Sequence, residues 1–368
     1  MGYPALSLDA LADYECGCEV LGSGGGGTPT PITAALTELL KTSHLPLLQS
    51  LPADAQVCAI GAMGGPSVFA ERLPSGREFQ VAKELLTRLG QPAPTVIVPM
   101  ETAGMNGPYA AYLALVEHLP LFDADLMGRA LPTIQQSTLA SSPNFGPAAL
   151  VTPSGEALLV DSPSAESVER IMRAALPACG GWGLLVTRPF GLDELRGHVV
   201  TGTVSRALSL GQALRRLPVW ARGPQIAQAL SGRWLGSGAI EQVLRHPRQG
   251  AFGGGNVYLT DSASGRIVRV EYQNEYLLAT IDGQVAVTCP DLLIVVDPRL
   301  RRLIRPEELR PRLEVAVVAL EGPLWWKRSP DRLDRVSPRA FGLDQDPIPW
   351  AASIEAAPSQ GGPGQVDG

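Results

Sequence analysis

The stretch Leu21–Pro31 reads "LGSGGGGTPTP", and Gly22, Gly24 and Gly27 satisfy G-x-G-x-x-G to the letter. A dinucleotide-binding loop of that form needs a strand before the glycines, a helix after them and an acidic residue about 20 positions further on. Here the preceding segment reads as a helix from Ser7 to about Val20, with Leu8, Leu11 and Val20 on its apolar side. No Asp or Glu lies between Glu38 and Asp54. A P-loop fails as well, because Thr28-Pro29 follows the glycines where Lys and Ser or Thr are required. What remains is physical. Consecutive glycines permit positive φ and let backbone N–H groups converge on an anion. A helix opening at Thr30 and Pro31 adds its positive end. Gly24, Gly25, Gly26 and Gly27 can therefore hold a carboxylate, a phosphate or a developing negative charge. The other reading is a tight helix–helix connection, and both stand at this point.

Outward from that loop, strands alternate with helices. "QVCAIGAMGG" and "TVIVPME" read as buried strands, "GREFQVAKELLTRLG" and "NGPYAAYLALVEHL" as helices, "PLFDADLMG" as a short strand or turn, and "PTIQQSTLASS" as a helix begun by Pro132. This alternation predicts an α/β layer with a mostly parallel sheet. "AALVTPSGEALLVD" reads as a hairpin around Ser154-Gly155, and two amphipathic helices follow, capped by Ser164 and Thr203. After about Gly232 β-branched and aromatic strands dominate, with Asp282-Gly283 the strongest hairpin signal in the chain. The expected organisation is an α/β domain over 1–165, a β-rich, α+β domain over 166–351, and a tail, 352–368, too poor in apolar residues to order itself.

The bulk properties narrow the function. The chain has 368 residues, 45% hydrophobic and 18% charged, which suits two soluble domains. A net charge of −6 argues against a nucleic-acid binder. No apolar run approaches the roughly 20 residues that span a bilayer. The N-terminus shows no secretion signal, and five cysteines, with Cys58 and Cys289 in apolar runs, suit thiols in a reducing cytoplasm. Cys16 and Cys18 form a C-x-C without evenly spaced partners, which reads as two small helical residues rather than a zinc site.

Candidate chemistry collects where strands end. Glu101 closes an apolar strand in "METAGMNGPYA", and Asn106 precedes a helix. Asp123 and Asp125 alternate in "FDADLMGRALP", so both point the same way in an extended segment. Such carboxylates can share a proton, giving an acid and a base, or hold a hard metal ion; Arg129 can neutralise one of them or clamp an anion. A helix cap or a salt-bridged turn is the other reading. In "VEYQNEYLLATIDG", Gln273, Asn274 and Glu275 fall between two strands, where they can read a polar heterocycle or form an edge bulge or interface lock.

Taken in order, "LGSGGGGTP", "GAMGGPSV", "METAGMNGP", "DADLMGRALPTIQQST", "YQNEYLLATIDGQVAVTCPDLLIVVD" and "GPLWWKRSPDRLDRVSPRAFGLD" resemble the S-methyl-thiohydantoin desulfurase-like family, from about residue 8 to residue 350. The resemblance implies an N-terminal α/β unit, a β-rich C-terminal unit, a site between them and a hydantoin-class substrate, with a hydantoinase/oxoprolinase-type protein or a second copy as partner. The chain departs from the family pattern at Gly65, where alanine is common, and between Glu101 and Asn106, where one glycine stands instead of two. The expected chemistry is hydrolysis at the sulfur-bearing ring carbon. Asp123 or Asp125 activates water and Glu101 is the acid or second base. The glycine N–H groups hold the anion; Asn106, Arg129, Gln273, Asn274 and Glu275 bind substrate. The sequence requires no cofactor, though Glu101, Asp123 and Asp125 can bind a divalent metal. Two rivals stand beside it: a non-catalytic accessory or substrate-binding subunit, and a nucleotide-dependent ring-opening enzyme.

Overall fold

The computed structural model describes residues 3–246 and 253–352. From residue 353 on, the tail expected to lack order lies outside the described residues. The chain forms two compact units, Met1–Arg215 with Gly322–Val336, and Arg216–Glu321 with the residues from Ser337 on.

The first unit contains, in chain order, β1 (Ala5–Leu6), α1 (Leu8–Gly22), α2 (Thr30–Leu40), β2 (Leu45–Leu48), β3 (Val57–Gly64), α3 (Pro66–Glu71), α4 (Glu78–Arg88), β4 (Val96–Pro99), α5 (Asn106–Val116), β5 (Leu121–Phe122), β6 (Ala124–Asp125), β7 (Ala148–Val151), β8 (Ala157–Val160), α6 (Ala165–Ala175), β9 (Trp182–Thr187), α7 (Leu192–Leu195), β10 (Val200–Thr201) and α8 (Thr203–Arg215). The sheet order is β1-β2-β5-β4-β3-β9-β7-β8. Strands β2, β5, β4 and β3 run parallel, as α/β connections require, and the flanking pairings are antiparallel. The apolar runs Val57–Ile60 and Val96–Val98 are buried throughout, which marks strands covered on both faces. β7 and β8 form the hairpin read around Ser154-Gly155.

One expectation is corrected. The segment from Pro132 is not an α-helix but two short 3-10 turns, Ile134–Gln136 and Thr138–Ser141. Two of its backbone donors are spent elsewhere, Ile134 N–H on Glu169 Oε2 at 3.0 Å and Thr138 N–H on the Leu126 carbonyl at 2.7 Å, and others, such as Gln136 and Ser137, bond three residues back. An i−4 ladder cannot form while tertiary acceptors hold those groups.

The second unit contains α9 (Gly223–Ala229), β11 (Arg233–His246), β12 (Gly254–Thr260), β13 (Ile267–Tyr272), β14 (Tyr276–Ile281), β15 (Gln284–Thr288), β16 (Leu292–Asp297), β17 (Arg302–Leu303) and β18 (Glu314–Leu320). Its strands pair antiparallel in the order β15-β14-β13-β12-β11-β18-β16-β17. The first half of β11 pairs with β18 and its second half with β12. One long strand thus serves two layers, with bulges at Trp234–Gly236 and Ile240–Gln242 where it bends. Val257, Val268, Leu293 and Val317 are among the side chains of the core those layers share. Asp282-Gly283 turns β14 into β15, with Ile281 opposite Gln284. Among the described residues, no helix is long and apolar enough to cross a membrane.

Candidate functional site

In the first unit, the carboxyl ends of the parallel strands β4 and β5 carry the acidic motifs. Glu101 follows β4, and Asp123 and Asp125 follow and close β5 and β6. The glycine run ends α1 and leads into α2, and its backbone lies on the segment just after Glu101. Gly104 N–H donates to the Cys18 carbonyl and Met105 N–H to the Gly26 carbonyl, each at 2.8 Å. A Cβ at Gly104 would sit 2.3 Å from the Gly26 carbonyl carbon and oxygen, and both residues have positive φ. That contact is backbone against backbone: it leaves no room for a side chain at Gly104, and at Gly26 a Cβ would lie 3.0 Å from Gly104 Cα on a backbone of positive φ.

Glu101 is nearly buried. Its Oε1 accepts from Asn106 Nδ2 at 2.7 Å and its Oε2 from Leu131 N–H at 3.0 Å. Asn106 opens α5 and ties it to β3, its Oδ1 accepting from Ala62 N–H at 2.8 Å. Asp125 is fully buried. Its Oδ2 accepts from Thr102 N–H at 2.8 Å, and its Oδ1 from Met127 N–H at 3.1 Å and Gly128 N–H at 2.6 Å. Burial pushes its pKa up to about 6 against the pull of those three donors toward the charged form. Asp123 caps α8 from outside the helix: its Oδ1 accepts from Ser205 N–H at 2.9 Å, and the Ser205 hydroxyl donates to Oδ2. The cap expected of Thr203 is therefore supplied by Asp123, while Thr203 Oγ1 lies 2.9 Å from Thr102 Oγ1. Arg129 is fully buried in the same loop, its Nε donating to the Ala130 carbonyl at 3.2 Å.

The structure thus gathers Gly24–Gly27, Glu101, Asn106, Asp123, Asp125 and Arg129 in one neighbourhood of the first unit. It does not arrange the carboxylates as metal ligands. Among the described residues no group of three or more His, Cys, Asp or Glu could hold a metal ion. Asp123 and Asp125 face N–H and O–H donors, which offer a cation nothing. Gly25 N–H is used within the turn, bonding the Gly22 carbonyl at 2.8 Å. The N–H groups of Gly24, Gly26 and Gly27 meet no acceptor among the described residues.

The sequence reading missed Tyr14 and took Cys18 only for a small helical residue. Tyr14 and Cys18, one turn apart on α1, are fully buried against the start of α5. A Cβ at Gly107 would lie 2.9 Å from both Tyr14 Oη and Cys18 Sγ. Burial raises the pKa of each, so both are kept neutral. Their i, i+4 spacing was the available signal.

In the second unit, Gln273, Asn274 and Glu275 form the tip joining β13 to β14, beside a register shift at Glu271–Tyr272. Gln273 Nε2 donates to the Phe341 carbonyl at 2.6 Å, and Asn274 Nδ2 to Glu275 Oε1 at 2.9 Å.

An α/β unit with a polyglycine loop on its acidic strand ends, followed by a β-rich unit built on one shared strand, defines the class of protein. Family models described as S-Me-THD-like, N-terminal domain and S-Me-THD-like, C-terminal domain match residues 9–162 and 163–350. The chain belongs to the S-Me-THD-like family. A protein from Chromobacterium violaceum, solved by X-ray crystallography, shares the fold with a TM-score of 0.75 and 22% identity, over 94% of this chain and 99% of that one. No curated protein matches.

Proposed function

We propose that the chain is a hydrolase acting on a hydantoin-class ring, of the S-methyl-thiohydantoin desulfurase type. One observation carries this reading: the unspent N–H groups of Gly24, Gly26 and Gly27 belong to a loop closed onto the segment that begins at Glu101. Donors that meet no acceptor among the described residues can receive the negative charge that builds when water adds to an amidine-like carbon.

Glu101 is the group best suited to the proton. Its oxygens accept from Asn106 Nδ2 and Leu131 N–H, and it keeps slight exposure that Asp125 lacks. Asp125 and Asp123 serve as positioning residues, the first fixing the 102–128 backbone and the second starting α8. In the reaction, water's oxygen bonds to the ring carbon and gives one proton to Glu101. The added hydroxyl then loses its proton as C=O forms, the carbon–sulfur bond breaks and methanethiol leaves with that proton, and Glu101 returns the first proton to the ring nitrogen. No step requires a metal.

The saturation of Asp123 and Asp125 favours a second reading, in which the protein binds the ring without transforming it. Incubation with an S-methyl-thiohydantoin, with free thiol followed by a chromogenic disulfide, separates the two. Thiol release that falls about 100-fold or more in Glu101→Gln supports the hydrolase. Stabilisation by the compound without thiol release supports binding alone. Unchanged turnover in Glu101→Gln removes Glu101 from the chemistry.

A further inference from the structure

The second unit contains a cleft that shares no residue with the motifs above. Its volume is about 360 Å³, inside the roughly 300–1,000 Å³ typical of small-molecule sites. Its apolar surface comes from Pro224, Trp234, Ala263, Pro298 and Val315, and its charged groups are Arg222, Arg299, Asp261 and Glu314.

The interior of the cleft is already satisfied and fixed. Trp234 Nε1 donates to Ser237 Oγ at 2.9 Å. Asp261, buried, accepts from Ser237 N–H at 2.9 Å, from Ser264 N–H at 2.8 Å and from the Ser264 hydroxyl at 2.6 Å. Ser262 N–H closes the wall on the Ser237 carbonyl at 2.8 Å. Asp261 is therefore a structural anion, with both oxygens committed. The residue 216–222 segment is tethered too: Arg301 Nη1 donates to the Leu217 carbonyl, and Arg222 Nη1 to the Ala221 carbonyl at 3.2 Å.

Two of the remaining charges are uncommitted among the described residues, and the third, Arg222, is held only through Nη1, on the Val219 and Ala221 carbonyls. Arg299 and Glu314 have no side-chain hydrogen bond or ion pair among the described residues, and Arg222 has no carboxylate partner. A cleft with a preset apolar wall, two guanidinium groups and one open carboxylate suits a molecule that carries both signs of charge beside an apolar body. An anion alone would leave Glu314 opposed to it, and a cation alone would meet Arg222 and Arg299.

We propose that this cleft binds a free α-amino acid with an apolar side chain. Arg299 and Arg222 take its carboxylate, Glu314 its ammonium group, and Trp234 with Pro298 its side chain.

The test is calorimetric titration of the full chain with L-phenylalanine, 3-phenylpropionate, which lacks the ammonium group, and phenethylamine, which lacks the carboxylate. The expected result is binding of phenylalanine with each truncated probe about tenfold weaker or worse, one charge contact being worth at least about that factor. Arg299→Ala and Glu314→Gln each weaken phenylalanine by a similar factor while the thermal melt stays within a degree or two of the parent, as expected for exposed side chains. No heat from phenylalanine at about 10 mM, below which affinity is marginal, overturns the proposal. Equal binding of 3-phenylpropionate, or phenylalanine affinity unchanged in Arg299→Ala, overturns it as well.

Discussion

Asp125 is a carboxylate under two opposed forces. Complete burial disfavours its charge, while three backbone N–H groups favour it, and burial prevails enough to place its pKa at about 6. In the unfolded chain the same group titrates near 3.8. A carboxyl whose pKa rises on folding binds its proton more tightly in the native state, so its stabilising contribution is full below about 3.8 and is lost as pH rises through about 6. The loss amounts to about 3 kcal/mol. Asp125→Asn, which stays neutral, lacks that dependence. Relative to Asp125→Asn, the native protein is therefore expected to lose stability between pH 4 and pH 7, by urea unfolding at several pH values. The absolute offset depends on how Asn Nδ2 meets the Thr102 N–H; the changing difference is the test, and a constant difference across that range refutes the assignment. Legibility at this scale was uneven. "FDAD" announced two acids one residue apart, but not that they would take separate partners, Asp123 on Ser205 and Asp125 on Thr102, Met127 and Gly128. Nothing local in "TGTVSRAL" said that Asp123, rather than Thr203, would cap α8, because a cap delivered from 82 residues before Ser205 leaves no mark near the helix.

At the scale of elements, the contact between α1 and α8 is made by glycines. A Cβ at Gly17 would lie 1.7 Å from the Ala207 carbonyl oxygen, and one at Gly211 would lie 1.8 Å from the Asp13 carbonyl oxygen. The two backbones approach too closely for any side chain at either position. Each glycine sits inside a helix, where it costs about 1 kcal/mol relative to alanine, so the close approach is what recovers that cost. Gly211→Ala therefore improves helix propensity and still destabilises, by several kcal/mol as an overpacked core does. A melt that rises, or holds, in Gly211→Ala would mean that the helices separate without penalty. The sequence showed both helices through their apolar periodicity, but "SLGQAL" and "ECGCEV" gave no sign that they meet, since helix–helix partners are chosen by tertiary geometry. The glycine run was legible in the same partial way. The helix before it excluded a dinucleotide loop from residues alone, whereas its fit onto Gly104 needed coordinates, because two glycine segments 80 residues apart carry no mutual signal.

At the scale of the whole molecule, the order of the chain and the order of its compact units differ. The family models meet between residues 162 and 163, yet the first unit continues to Arg215 and takes back Gly322–Val336. The reason lies in the sheet. β9, after that seam, pairs with β3 on one side and β7 on the other, so a fragment ending at 162 loses a strand from the middle of its sheet. The returning segment is just as embedded. Trp326 is fully buried and its Nε1 donates to the Met127 carbonyl at 2.8 Å, while Trp325 Nε1 donates to the Gly197 carbonyl at 2.7 Å. Pro323 lies against Gly128, whose absent Cβ would sit 2.4 Å from its Cγ. Met127 and Gly128 donate their N–H groups to Asp125, so this plug braces the candidate site from residues far along the chain. Residues 1–162 alone are expected to stay unfolded, with edges exposed on both sides of the missing strand. Residues 1–215 should retain helical signal but melt earlier than the first unit within the full chain, because a buried tryptophan has been removed at a cost of about 3–5 kcal/mol. Trp326→Ala in the full chain should reproduce much of that loss. Circular dichroism melts of the two fragments and the variant decide it: a 1–162 fragment with a cooperative transition, or a Trp326→Ala protein as stable as the parent, would show that the sheet closes without β9 or the site without its plug.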